Sequence, residues 1–251
     1  MNRFLKQGAF GLLYLAILGL AGFAGYYFFL RPEASCFDNL LNQKETGTDC
    51  GGSCIPCELK GLELGSSTVQ VIPISSNDVT LVAEVQNSSP NYSAFFSYNF
   101  EVTSKIGGVV DQEKGRAFIR PGQNKYLVVP AVSVDPRDVG RATLTLSDLG
   151  WNLSPIVASY KVQVTNEKTV LEPGRLKVTG ELVNNSASAS PALRLVTVVF
   201  DKDNKIVAAS SSLVSSIDAF GKNQFTAFLP FAGQAPSLAE LKTEIFWEEK
   251  L

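Results

Sequence analysis

The chain has 251 residues, with 22 basic and 24 acidic side chains, a formal net charge of −2 and no histidine. So even a balance offers no basic surface to neutralise phosphates, which argues against general nucleic-acid binding. The missing imidazole removes His-based acid–base chemistry, Ser-His-Asp and Cys-His nucleophile pairs and imidazole zinc sites, and no P-loop, Rossmann glycine pattern or G-x-S-x-G elbow is present.

In chain order, residues 1–7 read as a cytoplasmic tail and 8–31 as a transmembrane helix. The run Ala9 to Leu30, AFGLLYLAILGLAGFAGYYFFL, is 22 residues without a charge. At helical rise it spans roughly 33 Å, against a hydrocarbon core of about 30 Å. Tyr26, Tyr27, Phe28 and Phe29 end it like an interfacial aromatic belt, and Arg31 and Pro32 close it. Arg3 and Lys6 precede it, so the positive-inside rule places the N-terminus in the cytoplasm and the remainder outside. A signal peptide cleaved near Gly22 and Ala24 competes, but the apolar run exceeds the ~7–15 residues of an h-region and continues past that site. A lipoprotein site at Ala34-Ser35-Cys36 has Glu33 where an aliphatic residue is wanted. The expectation is a retained single-pass anchor, with membrane contact through residues 9–30.

Residues 36–57, CFDNLLNQKETGTDCGGSCIPC, contain every cysteine: Cys36, Cys50, Cys54 and Cys57. Outside a membrane, oxidation to disulfides is the default. Two bridges among four cysteines allow three pairings, which the spacing leaves open. The spacing C-x13-C-x3-C-x2-C lacks the two C-x2-C knuckles of a structural zinc site. Cys54-Ile55-Pro56-Cys57 also reads as a redox C-x-x-C, without the thioredoxin-like scaffold such chemistry uses. Asp38, Asn42, Glu45 and Asp49 are hard oxygen donors of the kind calcium prefers. The same side chains also suit turn capping, by accepting backbone N–H bonds. Gly51 and Gly52 are expected to allow a tight backbone between bonded cysteines. The stretch resembles a small repeat of secreted and surface proteins, C-x-D-x-x-x-N-x-x-E-T-x-x-D-C-G-G-x-C-x-x-C. Cys36, Asp38, Asn42, Glu45, Thr46, Asp49, Cys50, Gly51, Gly52, Cys54 and Cys57 all match.

The rest of the chain divides into two similar stretches, 62–153 and 156–251. VTLVAEVQNSSP from Val79 lines up with LKVTGELVNNSASASP from Leu176, setting Glu84 against Glu181 and Asn87 against Asn184. Both alternate apolar and polar residues with the period of a half-buried strand. Tyr98–Phe100 is matched to Val198–Phe200, Pro121–Tyr126 to Phe220–Phe225, and Trp151 to Trp247. Short strands, turn residues and no amphipathic helix predict two tandem immunoglobulin-like β-sandwiches, with Val, Leu and Phe inward and Thr, Lys, Glu and Ser outward. The junction 152–159, NLSPIVAS, is short and contains Pro155, so limited freedom between the sandwiches is expected. Tyr92, Phe95, Phe96, Tyr98 and Phe100 read as core rather than as a binding stripe. Asn87, Asn91, Asn152 and Asn184 sit in N-x-S sequons, the first and last at matching strand ends, where a structural turn accounts for them.

The second stretch resembles the FxLYD-type domain, a bacterial immunoglobulin-like module, through VTGELVNNS (Val178 to Ser186) and TVVFDKDNKIV (Thr197 to Val207). Thr197 and Phe200 replace the family's phenylalanine and tyrosine, Asp201 fits, and Phe220-Gly221 stands for Pro-Gly, which the first stretch keeps as Pro121-Gly122. The resemblance implies an envelope or secreted location and no reaction. The combined expectation is a mainly β, membrane-anchored, extracytoplasmic structural or binding protein of a cell envelope. It would have no catalytic residues, no cofactor, with calcium at Asp38, Asn42, Glu45 and Asp49 as the alternative, and an envelope protein as partner. The rivals are a thiol-disulfide redox protein using Cys54 and Cys57, and a calcium-dependent adhesion or sensor module.

Overall fold

The computed structural model describes residues 3–30, 35–153, 161–232 and 237–249. The chain forms two compact units, Met1–Leu62 and Glu63–Leu251. Arg31 to Ala34, and residues 154–160 of the sandwich junction, lie outside the described residues.

The first unit opens with helix α1 (Arg3–Gly25), continued by a π-helical turn over Tyr26–Leu30. Within it, Gln7–Phe28 is long and apolar enough to cross a membrane, a property that a signal sequence shares. None of that stretch is buried by the protein itself.

The second unit is built of strands. The first half holds β1 (Gly65–Ser66), β2 (Gln70–Pro73), β3 (Val79–Gln86), β4 (Ser93–Ser104), β5 (Val109–Ile119), β6 (Asn124–Val132) and β7 (Val139–Asn152). The second half holds β8 (Val162–Glu172), β9 (Arg175–Asn184), β10 (Leu193–Phe200), β11 (Ile206–Val214), β12 (Lys222–Pro230) and β13 (Lys242–Glu249). All pairing is antiparallel. β3 lies between β2 and β6 and also pairs with β1, whereas β4 lies between β5 and β7. In the second half β9 lies between β8 and β12, and β10 between β11 and β13. Strands β2–β7 and β8–β13 therefore share one pairing order.

Each half is a two-sheet sandwich closed by the alternation read in its strands. Val79, Leu81, Ala83 and Val85 of β3 meet Ala94, Phe96, Phe100 and Val102 of β4. Leu176, Val178 and Leu182 of β9 meet Leu193, Leu195 and Val199 of β10. Tyr92, Phe96 and Phe100 are buried as expected. Phe95 is the exception: it is 37% exposed, and its ring centroid lies 4.7 Å from that of Phe118.

The outward faces depart from the polar expectation. Ile72 and Val82 of the first sandwich share a third core with Val196, Val198, Phe200, Ile206 and Ala209 of the second. Tyr126, Val128 and Phe246 pack around it, with Tyr126 centred 5.9 Å from Phe200 and 5.4 Å from Phe246. Thus the outer face of the β3 sheet lies against the outer face of the β10 sheet. The strands β3 and β10 are buried on both sides, and burying a Val side chain fully contributes roughly 1.5–3 kcal/mol.

Two of the sequence matches are also out by one residue. Phe100 points into the core of its own sandwich whereas Phe200 points into the third core, so Tyr98–Phe100 and Val198–Phe200 do not correspond face for face. At the later turn, the backbone N–H of Gly122 bonds to Ser89 O as that of Phe220 bonds to Ser186 O. Phe220 thus occupies the place of Gly122, each with positive φ, 55° and 63°. The strands downstream then align Leu127 with Phe225, not Tyr126 with Phe225. A one-residue offset exchanges the two faces of a strand, and the buried pair Leu127 and Phe225 decides the register.

Candidate functional site

The cysteine module is organised by two interleaved disulfides, Cys36–Cys54 and Cys50–Cys57. They select one of the three pairings that the sequence left open. Cys54 and Cys57 are each bonded elsewhere, so the bridge that a redox C-x-x-C would form within itself is replaced by two crossing ones. Between them the backbone is tight. Gly51 and Gly52 take φ of 80° and 60°. A Cβ on Gly51 would lie 2.0 Å from Thr46 Oγ1, and one on Gly52 would lie 2.4 Å from the Lys44 carbonyl oxygen. For a sequence separation of 18, as at Cys36–Cys54, a bridge contributes about 3 kcal/mol through the unfolded state.

The four candidate calcium ligands are all placed at turns. Asp38 accepts from the backbone N–H of Ser35 and Leu40 and from the Asn42 side-chain amide, at 3.1, 2.9 and 2.8 Å. The Ser35 N–H, then the Asn42 amide, then the Leu40 N–H hold its carboxyl below the ordinary aspartate value. Glu45 accepts from the N–H of Asn42 and of Asp49, each at 3.2 Å. Asp49 accepts from the Asn39 N–H at 2.9 Å and lies 3.6 Å from Lys60 Nζ. Backbone N–H groups already engage each of these three carboxylates. Among the described residues, Cys36, Glu45 and Cys54 are the group that brings three potential ligand atoms within 4.8 Å, and its two sulfurs are joined in a disulfide.

In the second unit, the sequon residues Asn87 and Asn184 are buried latches. Asn87 Nδ2 donates to the carbonyls of Tyr92 and Arg120 at 2.7 and 3.0 Å. Asn184 Nδ2 donates to those of Ser188, Ile217 and Asp218 at 2.8, 3.2 and 3.1 Å. In both, Oδ1 accepts the N–H two residues on. The nitrogen that a glycan would need is committed to the fold.

Sequence reasoning missed a cavity where the two sandwiches meet. It measures about 130 Å³ and is walled by Phe95, Phe118, Tyr126, Phe246 and Trp247, with Arg120, Lys125 and Glu248 among its lining. Lys125 is buried, donates to the Phe118 carbonyl at 2.7 Å and pairs with Glu248 of the other sandwich. Burial pushes its pKa below the ordinary lysine value, and the charge of Glu248 opposes that shift. Glu248 also lies 3.8 Å from Arg194. The Arg120 guanidinium sits 5.8 Å from the ring centroids of both Phe118 and Trp247, a cation–π geometry. A lysine held between a carbonyl and a carboxylate acts as a weld between the sandwiches. Lys125 and Glu248 are far apart in sequence and match no motif, so no local signal announced them.

No family model matches the chain, and no curated protein matches it. Among solved structures, a red sea bream transglutaminase is similar at 12% identity over 74% of this chain and 29% of that one, with a TM-score of 0.25. A glycosyl hydrolase family 2 member from Bacteroides cellulosilyticus is similar at 15% identity over 68% and 27%, with a TM-score of 0.28. A β-glucuronidase from glycoside hydrolase family 2 is similar at 17% identity over 64% and 21%, with a TM-score of 0.22. The chain spans less than a third of the length of each, and likeness at this level carries no statement about its activity.

Proposed function

We propose that the chain is a single-pass, membrane-anchored protein of a cell envelope, with residues 35 onward outside the cytoplasm, that works by contact rather than by catalysis. The observation that carries this reading is the succession of an uncharged helix, Gln7–Phe28, and a module closed by two disulfides. Disulfides persist in oxidising compartments, and a helix preceded by Arg3 and Lys6 delivers the downstream chain to one. The shared pairing order of the two sandwiches supports an internal duplication of an immunoglobulin-like unit, and the resemblance to FxLYD-type domains agrees with an envelope location. Sandwiches of this kind offer edge strands and loop ends to partners, and an envelope protein is the partner proposed. A thiol-disulfide role is disfavoured by the crossed pairing of Cys54 and Cys57.

The test is protease accessibility on intact cells stripped of any outer layer, combined with cross-linking in living cells. Epitopes in residues 63–251 should be digested, and probes there should trap specific envelope proteins. A protected C-terminal unit, or a mature chain beginning near Gly25, would overturn the anchored topology.

A further inference from the structure

We propose that the loop Phe37–Leu41 docks onto the outer surface of the lipid bilayer, with Phe37, Leu40 and Leu41 entering the interfacial layer. This rests on residues 9–30 spanning the membrane. The module is patterned inside out for a body surrounded by water. Asp38, Glu45 and Asp49 turn to the backbone, while Phe37, Leu40 and Leu41 are 89%, 63% and 66% exposed. Apolar groups displayed together on so small a body mark a contact surface.

The loop is also pre-organised for that contact. The N–H groups of Phe37, Asn39 and Leu40 are taken by Ser35 Oγ, Asp49 Oδ1 and Asp38 Oδ1 at 3.4, 2.9 and 2.9 Å. Those donors therefore need not be stripped of water when the side chains enter lipid, which is what makes exposed backbone costly there. The Cys36–Cys54 bridge fixes the base of the loop.

Lipid is the occupant because of reach. Phe37 follows Leu30 by seven residues, a tether of at most about 25 Å, and the headgroup layer adds only about 5–8 Å beyond the hydrocarbon core. The loop is thus confined near a surface it is built to enter. Charge gives no reason to require anionic lipid: residues 35–62 carry four carboxylates against two lysines. Binding should hold on a zwitterionic bilayer.

The full chain, reconstituted in phosphatidylcholine nanodiscs, would carry the photo-reactive residue p-benzoylphenylalanine at one position at a time: Phe37, Leu41, Phe23 in the helix, or Ile106. Ile106 is the exposure control, at 97%. Lipid adducts scored by mass should form at Phe37 and Leu41 at half or more of the Phe23 yield, and several-fold above Ile106. If Phe23 labels lipid while Phe37 and Leu41 fall to the Ile106 level, the docking is overturned and the anchor stands. If Phe23 fails as well, both fall together. A cross-linked dimer from Phe37 in place of lipid adducts would assign the surface to a second copy of the chain and overturn the proposal.

Discussion

In the first sandwich Ala83 pairs across strands with Leu127, and at the corresponding place in the second Gly180 pairs with Phe225. The larger ring goes with the smaller partner. A Cβ on Gly180 would lie 2.8 Å from two carbons of the Phe225 ring and 3.2 Å from the Thr165 carbonyl oxygen. Phe225 is 6% exposed, so its ring is packed into the core. Gly180→Ala should cost about 1–3 kcal/mol in overpacking, offset by about 0.5–1 kcal/mol from the stiffer unfolded chain. Phe225→Leu should cost about 1–2 kcal/mol by leaving a void over Gly180. The double variant rebuilds the Ala–Leu pair of the first sandwich, so the two changes should couple favourably by about 1–2 kcal/mol. Thr165 still crowds the new methyl, so recovery should be incomplete. Urea unfolding followed by tryptophan fluorescence reads this directly, and thermal melting should shift by about 2–4 °C in Tm per kcal/mol for a body of this size. Additivity within about 0.5 kcal/mol would refute the size-complementarity argument.

The third core implies that Trp151 and Trp247, one in each sandwich, report a single unfolding transition, and that Val198→Asp splits it into two, as read by fluorescence of single-tryptophan variants. Lys125→Met strands the half-buried Glu248 beside Arg194 and should cost about 2–3 kcal/mol, most of it recovered by Lys125→Met/Glu248→Leu in urea titrations. Because burial lowers the Lys125 pKa, the unfolded chain binds that proton more tightly. Wild-type stability should therefore gain on Lys125→Met as pH rises towards the ordinary lysine value of 10.5. Asn184→Ala should cost about 2–3 kcal/mol by orphaning buried carbonyls, and peptide mapping from a glycosylating host should find Asn184 unmodified. Arg137 at 2.7 Å, by hydrogen bond and charge, holds Asp135 down to about 2. An NMR titration should show that midpoint rising towards 3.8 in Arg137→Ala, and in wild type the pair's small contribution should be present above pH 3.8 and lost as pH falls through about 2.

The alternation in Val79–Gln86 and Leu176–Asn184 was enough to place those strands and their inward faces, because period two is a local property. The third core was partly legible as well. Leu193–Phe200 reads LRLVTVVF, apolar at positions of both parities, which is the mark of a strand covered on both sides. The slip between Tyr126 and Leu127 was hidden because Phe220, a bulky residue, adopts the left-handed backbone that the Gly122 position requires. The disulfide pairing and the Lys125–Glu248 weld depend on which segments meet in space, and nothing in either neighbourhood encodes that.

The weld also bears on the order in which the protein can mature. As the chain is made from its N-terminus, Lys125 becomes committed to a position against the Phe118 carbonyl when the first sandwich closes. Its carboxylate partner arrives only with β13, the thirteenth strand, which also brings Phe246 over the exposed sides of Tyr126 and Val128. Until then a nascent first sandwich carries an unpaired cation beside an uncovered apolar sheet. A translation stall between the two halves would therefore leave an adhesive half-protein, its apolar sheet uncovered.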